Sequence, residues 1–519
     1  MTDAPQASPF SAALASGERT LDSDAFAGRI ARAAGGFAAL GLGQGDCAAL
    51  LMRNDFAFLE ASLAAVRLGA YAVPINWHFK AEEVAYILAD CGAKVLVAHA
   101  DLLAAVAPAI PDNVTVLVVP VAEDIRTAYG LSPDFGQVPP GATAWDDWVA
   151  AQTPWQGAPL PQTSSMIYTS GTTGRPKGVR RNPLTADLEA RMADYRTRVY
   201  GLNPGVRTMI PGPLYHSAPN AFALRAARVA SLIALMPRFD PETFLGLVEK
   251  HRIEAMFMVP TMFVRLLKLP AEVRGRYDLS SLKFIMHAAA PCSPDVKRGM
   301  IGWLGPVVHE FYGSTESGAV TVVDSHEWLS RPGTVGRPIK GGDVRIYDDD
   351  GRQLGANAVG EVYTRLEFLP EFTYHQLPGK RAEIDRDGFI TSGDVGYLDD
   401  AGYLFLCDSK RDMVISGGVN IYPAEIEAVL ITCPGVKDCA VFGIPDGEFG
   451  ETLMAVIEPQ PGLPPPVVAD VRAYLAQHLA DYKVPRRIEF GANLPREDSG
   501  KIFKRRLRDP YWADAGRAI

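Results

Sequence analysis

The first third of the chain alternates between amphipathic segments and short apolar runs. Apolar residues at helical spacing predict helices over residues 26–42, 56–68 and 81–91. Unbroken apolar runs predict buried strands over residues 47–52, 71–75 and 94–98. This alternation indicates an α/β fold in which helices cover parallel strands. Residues 1–20 lack the pattern, so we expect a loose lead-in.

The pattern changes toward the carboxyl end. Residues 336–408 contain short alternating strands separated by Gly/Asp turns, which predict a small antiparallel barrel. Helices are predicted again over 423–430 and 467–479, with a strand over 440–444. We therefore expect an N-terminal body over residues 1–408, made of two doubly wound mixed sheets and the barrel. A small, mobile α+β C-terminal domain is expected over residues 409–519.

A loop rich in Ser, Thr and Gly follows an apolar run at residues 166–168. It reads Tyr-Thr-Ser-Gly-Thr-Thr-Gly-Arg-Pro-Lys-Gly over residues 168–178, and the next predicted helix covers 183–200. Glycines let the backbone approach a ligand, hydroxyl and amide groups donate to phosphate oxygens, and Lys177 adds a positive charge. Pro176 stands where the P-loop motif needs its second glycine, so the loop predicts a phosphate site of another kind.

Three later segments carry candidate chemistry. Tyr312 ends an apolar strand and is suited to stack on a purine, while Glu316 is suited to ligate Mg²⁺. Asp394 follows Ser-Gly and is suited to accept hydrogen bonds from two ribose hydroxyls. Lys501 follows Ser-Gly and precedes a basic run. Taken singly, these segments also fit a strand-end turn, an Asp-Gly turn and a solvated charged helix.

Composition narrows the class of protein. The net charge of −9 and pI of about 5.6 argue against a nucleic-acid partner. Six scattered cysteines without a CxxC pair indicate free thiols in a reducing compartment and no zinc site. No signal peptide and no apolar run of membrane-spanning length is expected, so we predict a cytoplasmic protein without an integral membrane segment.

In their order, these segments resemble the adenylate-forming superfamily, which includes acyl- and aryl-CoA synthetases. The matching segments are residues 168–178, 312–316, 392–394, 416–418 with 423–427, and 500–501, so the resemblance spans nearly the whole chain. It implies an AMP-forming acyl-CoA synthetase that uses ATP, Mg²⁺ and coenzyme A. Such an enzyme converts a carboxylic acid to acyl-AMP, releases pyrophosphate, and then forms the thioester with CoA.

The resemblance also implies roles for single residues. Its catalytic residues would be Lys501, Glu316, Lys177 and His216, with Lys501 bridging the substrate carboxylate and the α-phosphate, Glu316 on Mg²⁺, and His216 gating the acyl pocket. The resemblance assigns the phosphate contacts to the loop residues Thr169, Ser170, Gly171, Thr172, Thr173 and Gly174. It places the adenine between Ala289, Ala290 and Tyr312, with Gly313 and Thr315 nearby, and the ribose on Asp394. The segment near Arg411 would be the hinge between domains, and Gly417 and Gly418 would line the pantetheine channel.

The residue pattern does not identify the carboxylic acid that is the substrate. The expected pocket walls are Tyr215, His216, His287, Ala288 and Gly313. Small residues such as Ala288 leave room for a bulky acyl group. We expect a hydrophobic monocarboxylic acid of the fatty, aryl or steroid type.

Two alternative functions also fit the sequence. One is a stand-alone adenylation enzyme with a different acceptor, of the peptide-synthetase or luciferase type. Another is a degenerate nucleotide or acyl-adenylate binder, suggested by Ser409 where the family usually has arginine. The oligomeric state is also open, with a homodimer among the options.

Overall fold

The structure is a computed structural model that describes residues 10–132, 135–158, 160–169, 176–409, 412–416, 419–446, 449–496 and 502–513. Its helices are α1 (Ser23–Ala39), α2 (Phe56–Arg67), α3 (Ala81–Cys91), α4 (Ala100–Val106), α5 (Glu123–Tyr129), α6 (Trp145–Ala151), α7 (Ala186–Tyr200), α8 (Ser217–Val229), α9 (Pro241–His251), α10 (Pro260–Leu267), α11 (Ala271–Arg274), α12 (Pro294–Leu304), α13 (Ser325–Ser330), α14 (Pro378–Ala382), α15 (Pro423–Leu430), α16 (Val468–His478) and α17 (Lys504–Trp512).

The strands are β1 (Ala13–Ser16), β2 (Arg19–Leu21), β3 (Cys47–Leu51), β4 (Tyr71–Pro74), β5 (Ala93–His99), β6 (Thr115–Val119), β7 (Thr143–Ala144), β8 (Ile167–Thr169), β9 (Lys177–Arg181), β10 (Arg207–Ile210), β11 (Leu232–Leu235), β12 (Ala255–Met258), β13 (Phe284–His287), β14 (Val308–Ser314), β15 (Gly318–Val323), β16 (Thr334–Pro338), β17 (Gly342–Tyr347), β18 (Gly360–Leu366), β19 (Phe372–Tyr374), β20 (Asp385–Arg386), β21 (Phe389–Leu398), β22 (Leu404–Ser409), β23 (Val414–Ser416), β24 (Val419–Ile421), β25 (Val436–Asp446), β26 (Gly450–Pro459) and β27 (Arg487–Phe490).

Local sequence accounts for several helix boundaries. The side chain of Asp22 accepts a hydrogen bond from the backbone N–H of Ala25, 2.7 Å away, and so caps the start of α1. Asp240 caps α9 in the same way, with Pro241 at the first helical position. Helix α3 ends at Gly92, which adopts a left-handed conformation that glycine tolerates. These signals explain why the sequence predicts the bounds of α3 correctly.

Two sheets organise the N-terminal body. Strands β4, β3, β5, β6 and β7 form a parallel sheet in that order. All five residues of β3 are buried, as expected for a strand covered on both faces. The larger mixed sheet follows the order β17-β18-β21-β22-β16-β15-β14-β13-β12-β10-β11-β1-β2. The antiparallel region predicted as a small barrel over residues 336–408 is formed by β16, β17, β18, β21 and β22. These strands belong to the larger sheet, because β16 pairs with β15.

The prediction of a loose lead-in at residues 1–20 is wrong for its described part. Strand β1 pairs in parallel with β11, with Ala13 opposite Leu232, and β2 pairs with β1. The run is too short to show a period, and its strand character depends on a partner more than two hundred residues away. The prediction of an α/β body followed by a smaller C-terminal unit is confirmed.

The C-terminal residues form their own sheet, β24-β23-β26-β25 with β27 beside β26. Helices α15 and α16 cover it, and Ile426, Leu430 and Leu475 are buried in a core separate from that of the body. Contacts with the body include the hydroxyl of Ser293, which donates to the carbonyl of Ala428 at 3.2 Å. Within the described ranges, no helix is both long and apolar enough to cross a membrane.

Candidate active site

A large cleft opens at the carboxyl ends of β10, β12, β13 and β14. These four strands run parallel and lie side by side, so the loops that follow them meet at one edge of the sheet. Open α/β sheets bind ligands at such an edge. The C-terminal unit closes the other side of the cleft through residues of α15 and α17, including Glu427 and Arg505.

The strands on either side of the glycine-rich loop pair as a β-hairpin. Strands β8 and β9 pair antiparallel, with Thr169 opposite Lys177, and residues 170–175 between them lie outside the described part of the chain. The sequence predicts a helix over residues 183–200 after the loop, and α7 covers Ala186–Tyr200, with strand β9 between the loop and the helix.

Strand β19 brings the hairpin to the carboxylate of Glu316. Tyr374 of β19 lies opposite Val179 of β9, and its hydroxyl donates to Oε1 of Glu316 at 2.9 Å. The Nζ of Lys177 lies 5.2 Å from the centre of the same ring. The ammonium group and the carboxylate thus share one aromatic neighbour at the end of the cleft where Thr169 and Glu316 are found.

Arg181 holds the backbone beside Glu316. Its guanidinium donates to the carbonyls of Thr315 and Glu316, at 2.6 and 2.7 Å, and to that of Pro370 at 2.8 Å. Burial lowers the pKa of Arg181 to about 10. The three bonds tie the strand-end segment to the hairpin, which fixes where the Glu316 carboxylate points.

The Glu316 carboxylate fits a Mg²⁺ site that is completed by substrate. Its Oε1 accepts the Tyr374 hydroxyl, and Oε2 has no partner among the described residues. Across the described ranges, no group of three or more His, Cys, Asp or Glu side chains is placed to hold a metal. Mg²⁺ commonly uses one or two carboxylates together with phosphate oxygens and water, which agrees with this donor set.

Tyr312 and Asp394 meet at another point of the cleft. The Tyr312 hydroxyl donates to Oδ2 of Asp394 at 2.7 Å, and burial together with this carboxylate raises the pKa of Tyr312 well above its usual value. Asp394 follows Gly393, whose φ of +81° suits glycine. Ala289, which also lines the cleft, has a φ of +75°, where a non-glycine residue is strained. Backbone strain of this kind is concentrated at functional sites.

Gly313 is required by close packing of strand ends. A Cβ added at this position would lie 1.7 Å from the carbonyl oxygen of Gly318, which is far inside van der Waals contact. The pairing of β14 with β15 shifts register between Tyr312 and Gly313. The resulting kink directs Ser314 and the following residues into the cleft.

Hydrogen bonds from Asn54 hold the loop that carries His216. The Asn54 amide donates to the carbonyl of Gly212 at 2.9 Å and accepts from the backbone N–H of Leu214 at 2.8 Å. The rings of Tyr215 and His216 lie 4.3 Å apart, and both residues line the cleft. His216 stands immediately before α8, so the helix start sets its position.

Many of the residues predicted as site residues line this one cleft. They are Thr169, Tyr215, His216, Ala288, Ala289, Ala290, Tyr312, Gly313, Thr315, Glu316 and Asp394. The predictions for Ser170, Gly171, Thr172, Thr173, Gly174, Arg411, Gly417, Gly418 and Lys501 fall outside the described residues. On either side of Lys501, Arg496 and Ile502 form an antiparallel bridge, and both residues line the cleft.

The prediction that His287 is a pocket wall is wrong. Its side chain is fully buried behind the wall, and its ring packs edge-on against Phe263 with centroids 5.1 Å apart. Burial lowers the pKa of His287 well below its usual value. Conversely, no sequence motif marks Tyr374 or Arg181 as a site residue. Both residues reach Glu316 because β9 pairs with β19, and no local motif encodes that pairing.

A buried ion pair lies beneath the cleft. The Nζ of Lys297 on α12 is 2.6 Å from Oε2 of Glu310 on β14, and both side chains are almost completely buried. The ammonium group also lies 4.9 Å from the centre of the Trp328 ring. Burial raises the pKa of Glu310, while Lys297 opposes that shift. The pair anchors α12 to β14, the strand that carries Tyr312.

His309 on the same strand is expected to make stability depend on pH. Its ring stacks on Phe284 at 4.1 Å, and burial lowers its pKa from 6.5 to about 4. The unfolded chain takes up the proton first as pH falls, so this contribution is complete above pH 6.5 and is lost between pH 6.5 and 4. His309→Phe should reduce the loss of unfolding free energy between pH 7 and pH 5 by about 2 kcal/mol.

Urea denaturation at the two pH values measures this effect. His326→Gln, at an exposed position on α13, is the matched control and should leave the pH dependence unchanged. Equal losses in the wild type and in His309→Phe would show that His309 does not contribute.

Comparisons with known proteins agree with the site. The AMP-binding enzyme family model matches residues 2–369, and the AMP-binding enzyme C-terminal domain model matches residues 425–501. The chain is 34% identical over 510 residues to feruloyl-CoA synthase from Amycolatopsis sp, covering 96% of each protein. It is 32% identical over 500 residues to long-chain-fatty-acid–CoA ligase FadD13 from Mycobacterium tuberculosis, covering 92% of this chain and 90% of the relative.

A solved structure shows the same fold over nearly the same length. Amide bond synthetase McbA from Marinactinospora thermotolerans superposes with a TM-score of 0.80 at 26% identity, covering 97% of each chain. The family models cover most of the sequence, and the curated relatives include acyl-CoA ligases. The chain therefore belongs to the AMP-binding enzymes of the adenylate-forming superfamily, and it is an AMP-forming acyl-CoA ligase that joins an acid to CoA at the expense of ATP.

Proposed function

We propose that this enzyme activates a carboxylic acid with a largely apolar acyl group, of the fatty, aryl or steroid type. The observation that carries the proposal is a single cleft that joins Tyr312 and Asp394 to Glu316 and, past them, to apolar walls. Those walls include Met192, Phe257 and Phe311. The names of the relatives, a feruloyl-CoA synthase and a long-chain-fatty-acid–CoA ligase, support an apolar acyl group of this range.

The first half-reaction makes the acid reactive. A carboxylate is a poor acyl donor because oxide would have to leave. Attack of its oxygen on the α-phosphorus of ATP instead gives acyl-AMP and releases pyrophosphate. In our proposal Asp394 accepts the ribose hydroxyls, Tyr312 and Ala289 flank the adenine, and Lys177 neutralises charge on the departing phosphates. His216 stands at the entrance to the acyl pocket.

Mg²⁺, when bound, would neutralise phosphate charge, and we propose that Glu316 supplies its protein ligand. Glu316→Gln should raise the Mg²⁺ concentration for half-maximal ATP binding about tenfold or more, since an interaction with a charged group contributes roughly 1.5–3 kcal/mol. Tyr374→Phe keeps the ring beside Lys177 and removes the hydrogen bond to Glu316, so a smaller shift in the same direction is expected.

ATP binding titrated against Mg²⁺ measures both variants. Glu367→Gln, on the surface, is the control and should match the wild type. An unchanged Mg²⁺ titration in Glu316→Gln would contradict the assignment.

The second half-reaction transfers the acyl group to CoA. The thiol sulfur attacks the acyl carbon of acyl-AMP, and AMP leaves. We propose that residues 409–519 form a domain that turns about a hinge near Arg411 between the two steps, withdrawing Lys501. Gly417 and Gly418 would then line the path of the pantetheine arm. The separate core of this unit supports a rigid-body movement.

A panel of acids tests the proposal. Purified enzyme is assayed for AMP release with ATP and Mg²⁺, using fatty, aryl-propenoic and steroid-type acids, each with and without CoA. We expect CoA-dependent AMP release with at least one class. The name of McbA, an amide bond synthetase, makes an amine the necessary second acceptor in the assay. Adenylate formation with transfer to the amine alone would overturn the proposed acceptor.

A further inference from the structure

Arg196 interrupts the apolar face of α7 that borders the acyl pocket. Met192, Arg196 and Tyr200 follow one another at four-residue intervals, so they lie on the same face of the helix. All three line the cleft, as does Tyr195. The two tyrosines and Met192 are buried, as the amphipathic pattern predicts. An arginine on the same face is unusual, because arginine is mostly exposed in proteins.

The guanidinium of Arg196 lacks a partner in the part of the chain that the structure describes. Among the described residues it makes no hydrogen bond and no ion pair, although Arg191 and Arg198 on the same helix each pair with a carboxylate. Burial lowers the pKa of Arg196, and the nearby charge of Arg225 lowers it further. Arg196 is half-buried and lines the cleft, so its charge is open to a ligand that supplies the missing partner.

Two more arginines reinforce the positive charge. Arg225 and Arg228 lie one turn apart on α8, and neither forms an ion pair within the described ranges. Burial lowers the pKa of Arg228 to about 10, with Arg196 contributing to the shift. The carboxylate that acts on both is Glu189, which is exposed. The electrostatic balance at this place therefore favours a bound anion.

Two phenol groups add uncommitted donors. The Tyr195 oxygen accepts the backbone N–H of Ala319 at 2.8 Å, and in the described structure its own hydrogen has no acceptor. The Tyr200 ring packs edge-on against Phe222 and Phe311, and its hydroxyl likewise has no partner there. One guanidinium and two hydroxyls from consecutive turns of α7 are thus left for a ligand.

The geometry connects this place with the reaction centre. Ala319, which binds Tyr195, pairs across the sheet with Gly313 at the end of β14. Glu316 follows three residues after Gly313. A molecule whose carboxylate reacts near Glu316 can therefore extend past Gly313 toward Tyr195 and Arg196 within the same cleft.

We propose that Arg196, with the hydroxyls of Tyr195 and Tyr200, forms an anion subsite at the far end of the acyl pocket, and that the substrate carries a second carboxylate remote from the reacting one. This inference rests on the proposed function and narrows it. The sequence predicts a monocarboxylic acid, whereas the subsite favours a dicarboxylic acid with an apolar middle. Arginine pairs with carboxylates through two parallel hydrogen bonds, which would orient the distal group.

Matched acids test the subsite. Decanoic, 9-oxodecanoic and decanedioic acids are compared with the shorter pair of octanoic and octanedioic acids, and 3-phenylpropanoic acid is compared with 3-(4-carboxyphenyl)propanoic acid. For at least one pair, the wild type should favour the diacid in kcat/KM by about tenfold or more. Arg196→Met should abolish the preference and retain or raise activity on the monoacid. Arg198→Met removes an exposed charge from the same helix and should keep the preference.

Each other outcome would overturn the subsite. Preference for the monoacid in every pair would do so, as would an equal loss on both members of each pair in Arg196→Met. Equal activity on the keto acid and the diacid would show that charge is not recognised.

Binding separates this inference from the proposed function. Calorimetric titration of decanedioic and decanoic acids into wild type and Arg196→Met needs no turnover. If no acid supports AMP release but the diacid binds more tightly through Arg196, the proposed function fails and the subsite stands. If AMP is released but neither diacid binding nor diacid turnover depends on Arg196, the subsite is contradicted and the proposed function stands.

Discussion

Lys501→Ala is expected to reduce ATP–pyrophosphate exchange by a factor on the order of 10² or more, as when a charged contact made in the transition state is lost. Arg496 and Ile502 pair on either side of residues 497–501 and line the same cleft as Tyr312 and Asp394. In our proposal Lys501 neutralises the charge that builds up between the acid and the α-phosphate. Because the second half-reaction uses preformed acyl-AMP, its rate should be largely retained.

Both half-reactions are therefore measured on the same preparations. Exchange of labelled pyrophosphate reports the first, and thioester formation from supplied acyl-adenylate and CoA reports the second. Lys483→Ala, which removes a lysine paired with Glu425 elsewhere in the C-terminal unit, is the matched control. Normal exchange in Lys501→Ala would remove Lys501 from the mechanism, and an equal fall in both steps would indicate a structural defect.

Lys297→Met should destabilise the fold by about 3–5 kcal/mol, since it leaves the buried carboxylate of Glu310 without its counter-charge. The double variant Lys297→Met, Glu310→Leu removes both charges and should recover most of that loss, because an apolar pair avoids the cost of burying ions. The free energy of unfolding from urea denaturation at pH 7 gives each value.

A control variant distinguishes this pair from ordinary surface pairs. Arg298→Met, at the next position of α12, breaks an exposed pair with Asp295 and should change the free energy by less than about 1 kcal/mol. If Lys297→Met costs no more than Arg298→Met, the pair does not hold α12 to β14. If the double variant is as unstable as the single one, packing around Lys297, and not charge, is responsible.

Some elements could be predicted from the sequence because their signals are local. Helix α3 and helix α15 have the predicted bounds, since each combines a start signal with an apolar face of helical period. Strand β3 was predictable because parallel strands buried on both faces appear as unbroken apolar runs. The Gly/Asp turns near Gly351 and Gly402 close as expected, each with a positive φ.

Other features depend on pairing between distant segments. Strand β1 exists because β11 lies beside it, and β9 and β19 bring Tyr374 to Glu316 from 58 positions along the chain. No local pattern encodes such a partner, because hydrogen bonds between strands are satisfied by backbone groups that every residue has. The burial of His287 was missed for a similar reason, since its depth depends on Phe263 of a separate helix.

The sequence by itself determined the family, the reaction class and the order of the site motifs, because phosphate and metal chemistry needs particular residue types at short spacing. Only the tertiary structure decided how Arg181 and Tyr374 position Glu316, and that Arg196 lines the cleft without a hydrogen-bond or ion-pair partner among the described residues. An arginine within a helix has many available partners in the sequence. Whether any of them reaches it is set by the packing of α7 against its neighbours, which the linear pattern does not contain.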